Sequence, residues 1–213
     1  MVAIIDYDAG NIKSVEKAVF SLGQNAVVTR EADTILAADH VILPGVGAFG
    51  DAMERLRRYT LIEVIKEVVD HRTPFLGICL GLQLLFESSE ESAGVKGLGI
   101  LPGKIVRIPE QNDLKIPHIG WNSLHFPNQG RLFRDIPEGA YVYFVHSYYL
   151  QAREPEIVTA STEYGVNIHA AVEKDNVFAC QFHPEKSSEV GMTILKNFLN
   201  ISDESAGSVR EDK

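Results

Sequence analysis

The chain has 213 residues, 45% of them hydrophobic and 23% charged, with a net charge of −9. This suits one globular domain with a substantial core, and the acidic balance argues against a nucleic-acid partner, which needs basic clusters. The longest apolar run, residues 75–86, is too short to cross a bilayer, so no membrane partner is expected.

Two cysteines, Cys79 and Cys180, lack C-x-x-C spacing and read as reduced thiols of a cytoplasmic protein. The first six residues enter a strand without a basic lead, so no signal peptide is expected.

Residues 2–7 read as a short apolar strand and Asp8-Ala9-Gly10-Asn11 as a turn. Ile12, Val15, Val19 and Leu22 then recur at helical spacing, with Gly23 closing the helix. Residues 26–29 and 40–43 read as further strands. Next comes Pro44-Gly45-Val46-Gly47-Ala48-Phe49-Gly50, which formally contains G-x-G-x-x-G. A dinucleotide site is rejected here. That fingerprint belongs after the first strand, and the acids about 20 residues on, Glu67 and Asp70, fall in a helix. These glycines suit a backbone that approaches a substrate closely and offers it N–H groups. Thr60 and Glu63 have capping-box spacing, ahead of a helix with Leu61, Ile62, Ile65, Val68 and Val69 on one face.

Residues 73–83, T-P-F-L-G-I-C-L-G-L-Q, read as a buried strand turning sharply at Cys79 into an apolar helix. Gly77 and Gly81 flank the cysteine as G-x-C-x-G, the nucleophile-elbow pattern with sulfur in place of a hydroxyl. Such a turn lifts the side chain clear of the sheet, and the helix start aims N–H groups at it. Leu80 would supply the first of these to a developing oxyanion. The alternative is a small thiol buried between strand and helix.

Beyond residue 86 the texture changes. The charge run Glu87 to Ser92 reads as a solvated loop. Residues 104–108, 141–150, 157–161, 169–173 and 177–182 read as strands with few helical patterns between them. A last helix spans residues 188–199, with Val190, Ile194, Leu195 and Phe198 inward. The whole is a three-layer α/β domain over residues 1–201. It has a mostly parallel sheet, helices on both faces and added antiparallel strands. The polar tail, residues 202–213, is expected to be disordered.

A cysteine nucleophile needs a base with an orienting group. Among seven histidines, only His183 ends a strong strand with a carboxylate two residues on, in His183-Pro184-Glu185. Extended backbone projects i and i+2 to the same side, so Glu185 can orient His183. A surface turn is the alternative for this tripeptide alone. Cys180 reads as core.

With G-I-C-L-G-L-Q, P-G-V-G and H-P-E in place, the chain resembles the class I (triad) glutamine amidotransferases, which are flavodoxin-like, over nearly its whole length. The stretches at 6–11 (D-Y-D-A-G-N), 118–122 (H-I-G-W-N), 143–148 (Y-F-V-H-S-Y) and 181–187 (Q-F-H-P-E-K-S) are similar to one branch of that family. This branch comprises the glutaminase subunits of imidazole glycerol phosphate synthases, in histidine biosynthesis.

The resemblance implies a Cys79–His183–Glu185 triad that hydrolyses L-glutamine without cofactor or metal. It implies oxyanion donors at Leu80, Val46 and Gly47, and substrate contacts at Gln83, Gly47, Ser147 and Tyr148. It also implies a heterodimer with a (β/α)8-barrel cyclase subunit that receives the ammonia, met through Asn11, Trp121, Tyr143 and Lys186. Glycine on both sides of Val46 lowers the cost of rotating a peptide there. The free chain is therefore expected to hold its triad in place with the Val46 N–H turned away. The rival within the family is the glutaminase of pyridoxal phosphate synthase. Outside it stand a lone γ-glutamyl or cysteine hydrolase of similar fold and a non-enzymatic binding module.

Overall fold

The computed structural model describes residues 1–111 and 114–202. The tail beyond Ser202 lies outside the described residues. In chain order the elements are β1 (Val2–Ile5), α1 (Ile12–Ser21), β2 (Ala26–Thr29), α2 (Ala32–Leu36), β3 (His40–Gly45), α3 (Phe49–Arg58), α4 (Leu61–Asp70), β4 (Phe75–Cys79) and α5 (Leu80–Leu84). There follow β5 (Ser88–Ser89), β6 (Gly103–Arg107), β7 (His118–Ser123), β8 (Tyr141–His146), β9 (Tyr148–Ala152), β10 (Val158–Glu163), β11 (Asn167–Lys174), β12 (Val177–Cys180) and α6 (Ser188–Leu199).

The main sheet runs β2-β1-β3-β4-β12-β11-β9-β6-β5, with β10 paired to β11. From β2 to β12 the pairing is parallel. Beyond β12 the ladders to β11, β9 and β6 are antiparallel. The strands alternate their side chains between two cores. On one face Ala3, Ile5, Val41, Leu43 and Phe75 meet residues of α2, α3, α4 and α5. On the other Val2, Ile4, Ile42, Leu76 and Ile78 meet α1 and α6. This is the expected three-layer α/β fold.

Four local expectations are corrected. The capping box fails: Thr60 sits in the left-handed region at φ 58° with no side-chain cap. Its N–H instead bonds the Arg57 carbonyl, so Thr60 terminates α3, and α4 starts directly after it. α3, whose Phe49, Ala52, Met53 and Leu56 recur at helical spacing, and the short α2 were not among the expected elements.

The charge run is only partly a solvated loop: Glu87, Ser88 and Glu90 are exposed, but Ser88–Ser89 form β5 and the acids are tied to the backbone. Glu91 accepts the Phe49 N–H at 2.7 Å and Ser92 accepts that of Gly50, which caps the start of α3. Glu87 and Glu90 accept the N–H groups of Gly103 and Arg107.

The single strand expected over 141–150 breaks at Ser147. β8 leaves the main sheet to pair with β7 in a separate two-stranded ribbon, while β9 rejoins it. Lastly, Pro184–Lys186 form one 3-10 turn rather than extended backbone. Proline's fixed φ suits the first position of such a turn.

Two glycines set how closely α5 approaches the sheet. A Cβ on Gly81 would lie 1.9 Å from the Leu43 carbonyl oxygen, and one on Gly77 would lie 2.7 Å from that of Gly81. Both obstacles are backbone, so neither can swing aside. Gly81→Ala is expected to cost at least about 2 kcal/mol of folding stability, as overpacking against a rigid wall does. A denaturant midpoint equal to that of the parent chain would contradict this.

Candidate active site

The carboxyl ends of β3, β4 and β12 lie side by side. Gly45 registers with Cys79, and Ile78 with Cys180. The segments leaving these ends, residues 44–47, 79–83 and 181–185, therefore converge at one edge of the sheet, where α/β folds place their ligands. Cys79 makes the turn from β4 into α5 at φ 55° and ψ −108°. This is a conformation that a side-chain-bearing residue holds only when its surroundings enforce it.

His183 Nδ1 lies 2.7 Å from Glu185 Oε1. The side chains of His183 and Glu185 are 1% and 0% exposed. The carboxylate accepts, so Nδ1 carries a proton. Nε2 is buried, has no hydrogen-bond partner among the described residues, and has the Cys79 side chain as its neighbour. Burial alone would lower the pKa of His183, but the adjoining Cys79 and Glu185 side chains outweigh it and raise it to about 9. The sequence brought Glu185 to His183 by extended alternation. The structure brings it there through the 3-10 turn.

These groups open on a cavity of about 330 Å³ lined by Cys79, Leu80 and His183, and by Val46 and Gly47. Gly47 has φ 103°, a conformation that favours glycine. Gln83, Ser147 and Tyr148 complete the expected lining, one helical turn or one strand end away. The arrangement sets a thiol and an imidazole on one small-molecule space, with a buried carboxylate behind the imidazole, a set of groups that can carry out nucleophilic chemistry.

The profile of the family described as "Glutamine amidotransferase class-I" matches residues 3–201. The chain belongs to this family.

Among its relatives, the protein of Moorella thermoacetica named "Imidazole glycerol phosphate synthase subunit HisH" is 53% identical over 92% of this chain and 93% of its own length. The Methanocaldococcus jannaschii protein of the same name is 48% identical over 94% of this chain and all of its own. A crystal structure of a glutamine amidotransferase superposes with TM-score 0.72 at 19% identity, covering 93% of this chain and 97% of its own. The structure of PurLQS from Thermotoga maritima gives 0.69 at 20%, with the same coverage.

On this amidotransferase scaffold the four residues singled out for a partner face also gather. Trp121 is 50% exposed. It registers opposite Tyr143 across the β7–β8 ribbon, with ring centroids 6.2 Å apart. Lys186 Nζ stands 6.0 Å above the Tyr143 ring. Asn11 does something the sequence did not announce. Its amide donates to Glu185 Oε1 at 2.6 Å, the oxygen that also faces His183. It makes no side-chain cap on α1.

The sequence reading also passed over Gln181. Buried on β12's extension, it accepts from Gln83 Nε2 at 3.0 Å and sends its own Nε2 to within 3.6 Å of Cys79 Sγ. Its position two residues before His183, on the same side of extended chain, was the available signal. Glu91, Pro117, Val145 and His146 line the cavity as well. Val145 and His146 belong to the 143–148 stretch noted above, where they were given no role of their own, and no local pattern marked Glu91 or Pro117 for the cavity.

Because the folded pKa of His183 lies above the ordinary value of 6.5, the charged ring stabilises the fold fully below that pH. The contribution fades as pH rises through about 9. NMR titration of the His183 ring in the intact chain should find its midpoint near 9, and in Glu185→Gln at lower pH. An ordinary midpoint in the parent chain would refute the cause given.

Proposed function

We propose that this chain is the glutaminase subunit of an imidazole glycerol phosphate synthase, and that Cys79, His183 and Glu185 are its catalytic triad. One observation carries the reading. A strained cysteine elbow and a buried His–Glu pair open on one small cavity, in a chain about half identical to proteins named as subunits of that synthase.

In the proposed reaction Cys79 Sγ attacks the carboxamide carbon of L-glutamine. The N–H groups of Leu80 and of the Val46–Gly47 segment hold the oxyanion. His183, oriented by Glu185, gives its Nε2 proton to the amide nitrogen; the C–N bond breaks and ammonia leaves. Water then loses a proton to His183 and attacks the γ-glutamyl thioester, releasing glutamate and restoring the thiolate. Gln83, Gly47, Ser147 and Tyr148 hold the substrate.

Ammonia is useful to a synthase only while unprotonated, so it must pass to the next active site without equilibrating with water. The partner in this reading is a cyclase subunit with a (β/α)8 barrel, docked on Asn11, Trp121, Tyr143 and Lys186 as a heterodimer in the cytoplasm. The chain's own residues supply all the groups this chemistry needs, without metal or cofactor. The glutaminase of pyridoxal phosphate synthase and a stand-alone hydrolase are the second readings. The names of the relatives speak against both, and the exposed aromatic ribbon speaks against a hydrolase that acts alone.

Cys79→Ala should abolish glutamine-dependent synthesis by the assembled enzyme and leave synthesis from added ammonium salts nearly intact, since only ammonia release uses the thiol. Loss of both activities would overturn this division of labour.

A second expectation concerns the oxyanion segment. In the free subunit the Val46 N–H points away from Cys79, and partner with bound nucleotide turns it inward by contacting that form better. One missing donor costs about 2.7–4 kcal/mol, roughly 10²–10³ in rate, enough for an off-state. A crystal structure of the inactive free subunit with that N–H already aimed at Cys79 would disprove it.

A further inference from the structure

The Ser147–Tyr148 wall of the cavity is held from behind by a hydrogen-bond chain that the mechanism above leaves unused. β7 and β8 form a two-sided ribbon. The register pairs Trp121 with Tyr143 on the outer side and His118 with His146 on the inner side. There His146 Nδ1 lies 2.9 Å from the Tyr148 carbonyl oxygen, and His146 Nε2 lies 3.0 Å from His118 Nδ1. His118 Nε2 lies 3.4 Å from Asn122 Nδ2. The Asn122 amide donates to the Glu163 carbonyl at 3.0 Å and accepts the Ser123 N–H at 2.8 Å, which fixes its orientation.

The two ends of this chain permit one direction only. A carbonyl oxygen only accepts, so His146 carries its proton on Nδ1 and leaves Nε2 as an acceptor. His118 must then donate from Nδ1, and its bare Nε2 meets the asparagine NH2, which only donates. Two neutral imidazoles satisfy every atom. An added proton on either would set donor against donor. Burial acts in the same sense, lowering the pKa of His146 to about 3 and that of His118 to about 4. Stacking of His118 between Phe144 and Tyr164, at 4.8 and 3.9 Å, fixes its ring.

The other lone pair of the Tyr148 carbonyl takes Gln83 Nε2 at 3.1 Å. Gln83 in turn reaches Gln181, and Gln181 reaches Cys79. That carbonyl is therefore the joint between the ribbon and the nucleophile.

We infer that His118 and His146 are positioning residues for the glutaminase reaction: the Asn122–His118–His146 chain pins the Tyr148 carbonyl where Gln83 and Gln181 meet Cys79. The inference rests on the glutaminase reading of this cavity.

Nitrogen-15 NMR of the histidine-labelled chain at neutral pH tests it without needing activity. Both rings should be neutral with the proton on Nδ1. A proton on Nε2 of His146, or a charged ring, overturns the inference. Kinetics of the enzyme assembled with its cyclase subunit supply the second test.

His118→Leu removes the donor to His146. It should raise KM for glutamine about tenfold, or about 1.4 kcal/mol, with kcat changed much less. His118→Asn places an amide nitrogen where Nδ1 stood and should restore KM to within about twofold of the parent. An unchanged KM in His118→Leu, or equal losses in both variants, overturns the inference. If His118→Leu does not fold, the ring protons of the parent chain and of His118→Asn decide it. An assembled parent enzyme that does not hydrolyse glutamine would sink the functional reading and leave the NMR result standing.

Discussion

The backbone turn at Cys79 is the constraint on which the rest of the site depends. A positive φ at a residue with a Cβ costs about 1–3 kcal/mol and persists only where neighbours over-determine it. Here three do. β3 and β12 pair with β4 up to its last residues, so the strand cannot slide or fray. α5 is pressed against the Leu43 carbonyl at a distance that only a glycine at position 81 permits. With strand and helix both immobile, the intervening residue has one backbone conformation open to it. The sulfur is thus placed by the sheet, independently of its own contacts.

The histidine is placed by a different route. His183 N–H bonds the Tyr143 carbonyl at 3.0 Å, and the Ser187 hydroxyl donates to the His183 carbonyl while accepting the Tyr143 N–H. The 3-10 turn that carries Glu185 is therefore stitched to β8. Glu185 itself is held by Asn11, at the end of the 6–11 loop. That loop is clamped by Arg30 on Asp6 and Asp8, by Arg55 on the Asp8 carbonyl, and by Tyr59 on the Asp8 carboxylate. The Tyr59 and Arg30 hydrogen bonds hold the Asp8 carboxyl below the usual carboxylate range. An exposed ion-pair cluster is worth little to stability. Its effect here is to orient the loop whose Asn11 holds Glu185 against His183.

What the sequence disclosed follows from this division. The parallel half was legible because buried strands read as apolar runs and α1, α4 and α6 show one apolar face each. The convergence of Cys79, His183 and Glu185 was legible because an elbow and a strand end are local patterns. α3 was missed although Phe49, Ala52, Met53 and Leu56 stand at the i, i+3, i+4, i+7 spacing of one buried face, because the glycines at 45, 47 and 50 read as a loop that runs into its first turn. The acids at 87, 90 and 91 read as solvated because their partners are backbone N–H groups far along the chain. The break at Ser147 was invisible because both halves are good strands, and the sheet each joins is chosen by tertiary pairing. Gln181 and Asn11 act through single long-range hydrogen bonds, which leave no periodic trace.

The site's groups also differ in how far a partner could act on them. The His183 and Glu185 side chains are buried, and Cys79 is fixed by its flanks. Val46 is different: it is 38% exposed and stands between two glycines. A Cβ on Gly10 would come within 2.8 Å of Val46 Cγ2. The Val46 segment therefore leans on the same loop whose next residue, Asn11, holds Glu185. A contact made on that loop from outside would reach both the Val46 segment and the carboxylate that faces His183. It would do so without unpacking either core. Of the positions around the cavity, the backbone between the two glycines is the one least held by packing, since Val46 is exposed while Cys79, His183 and the Glu185 side chain are buried.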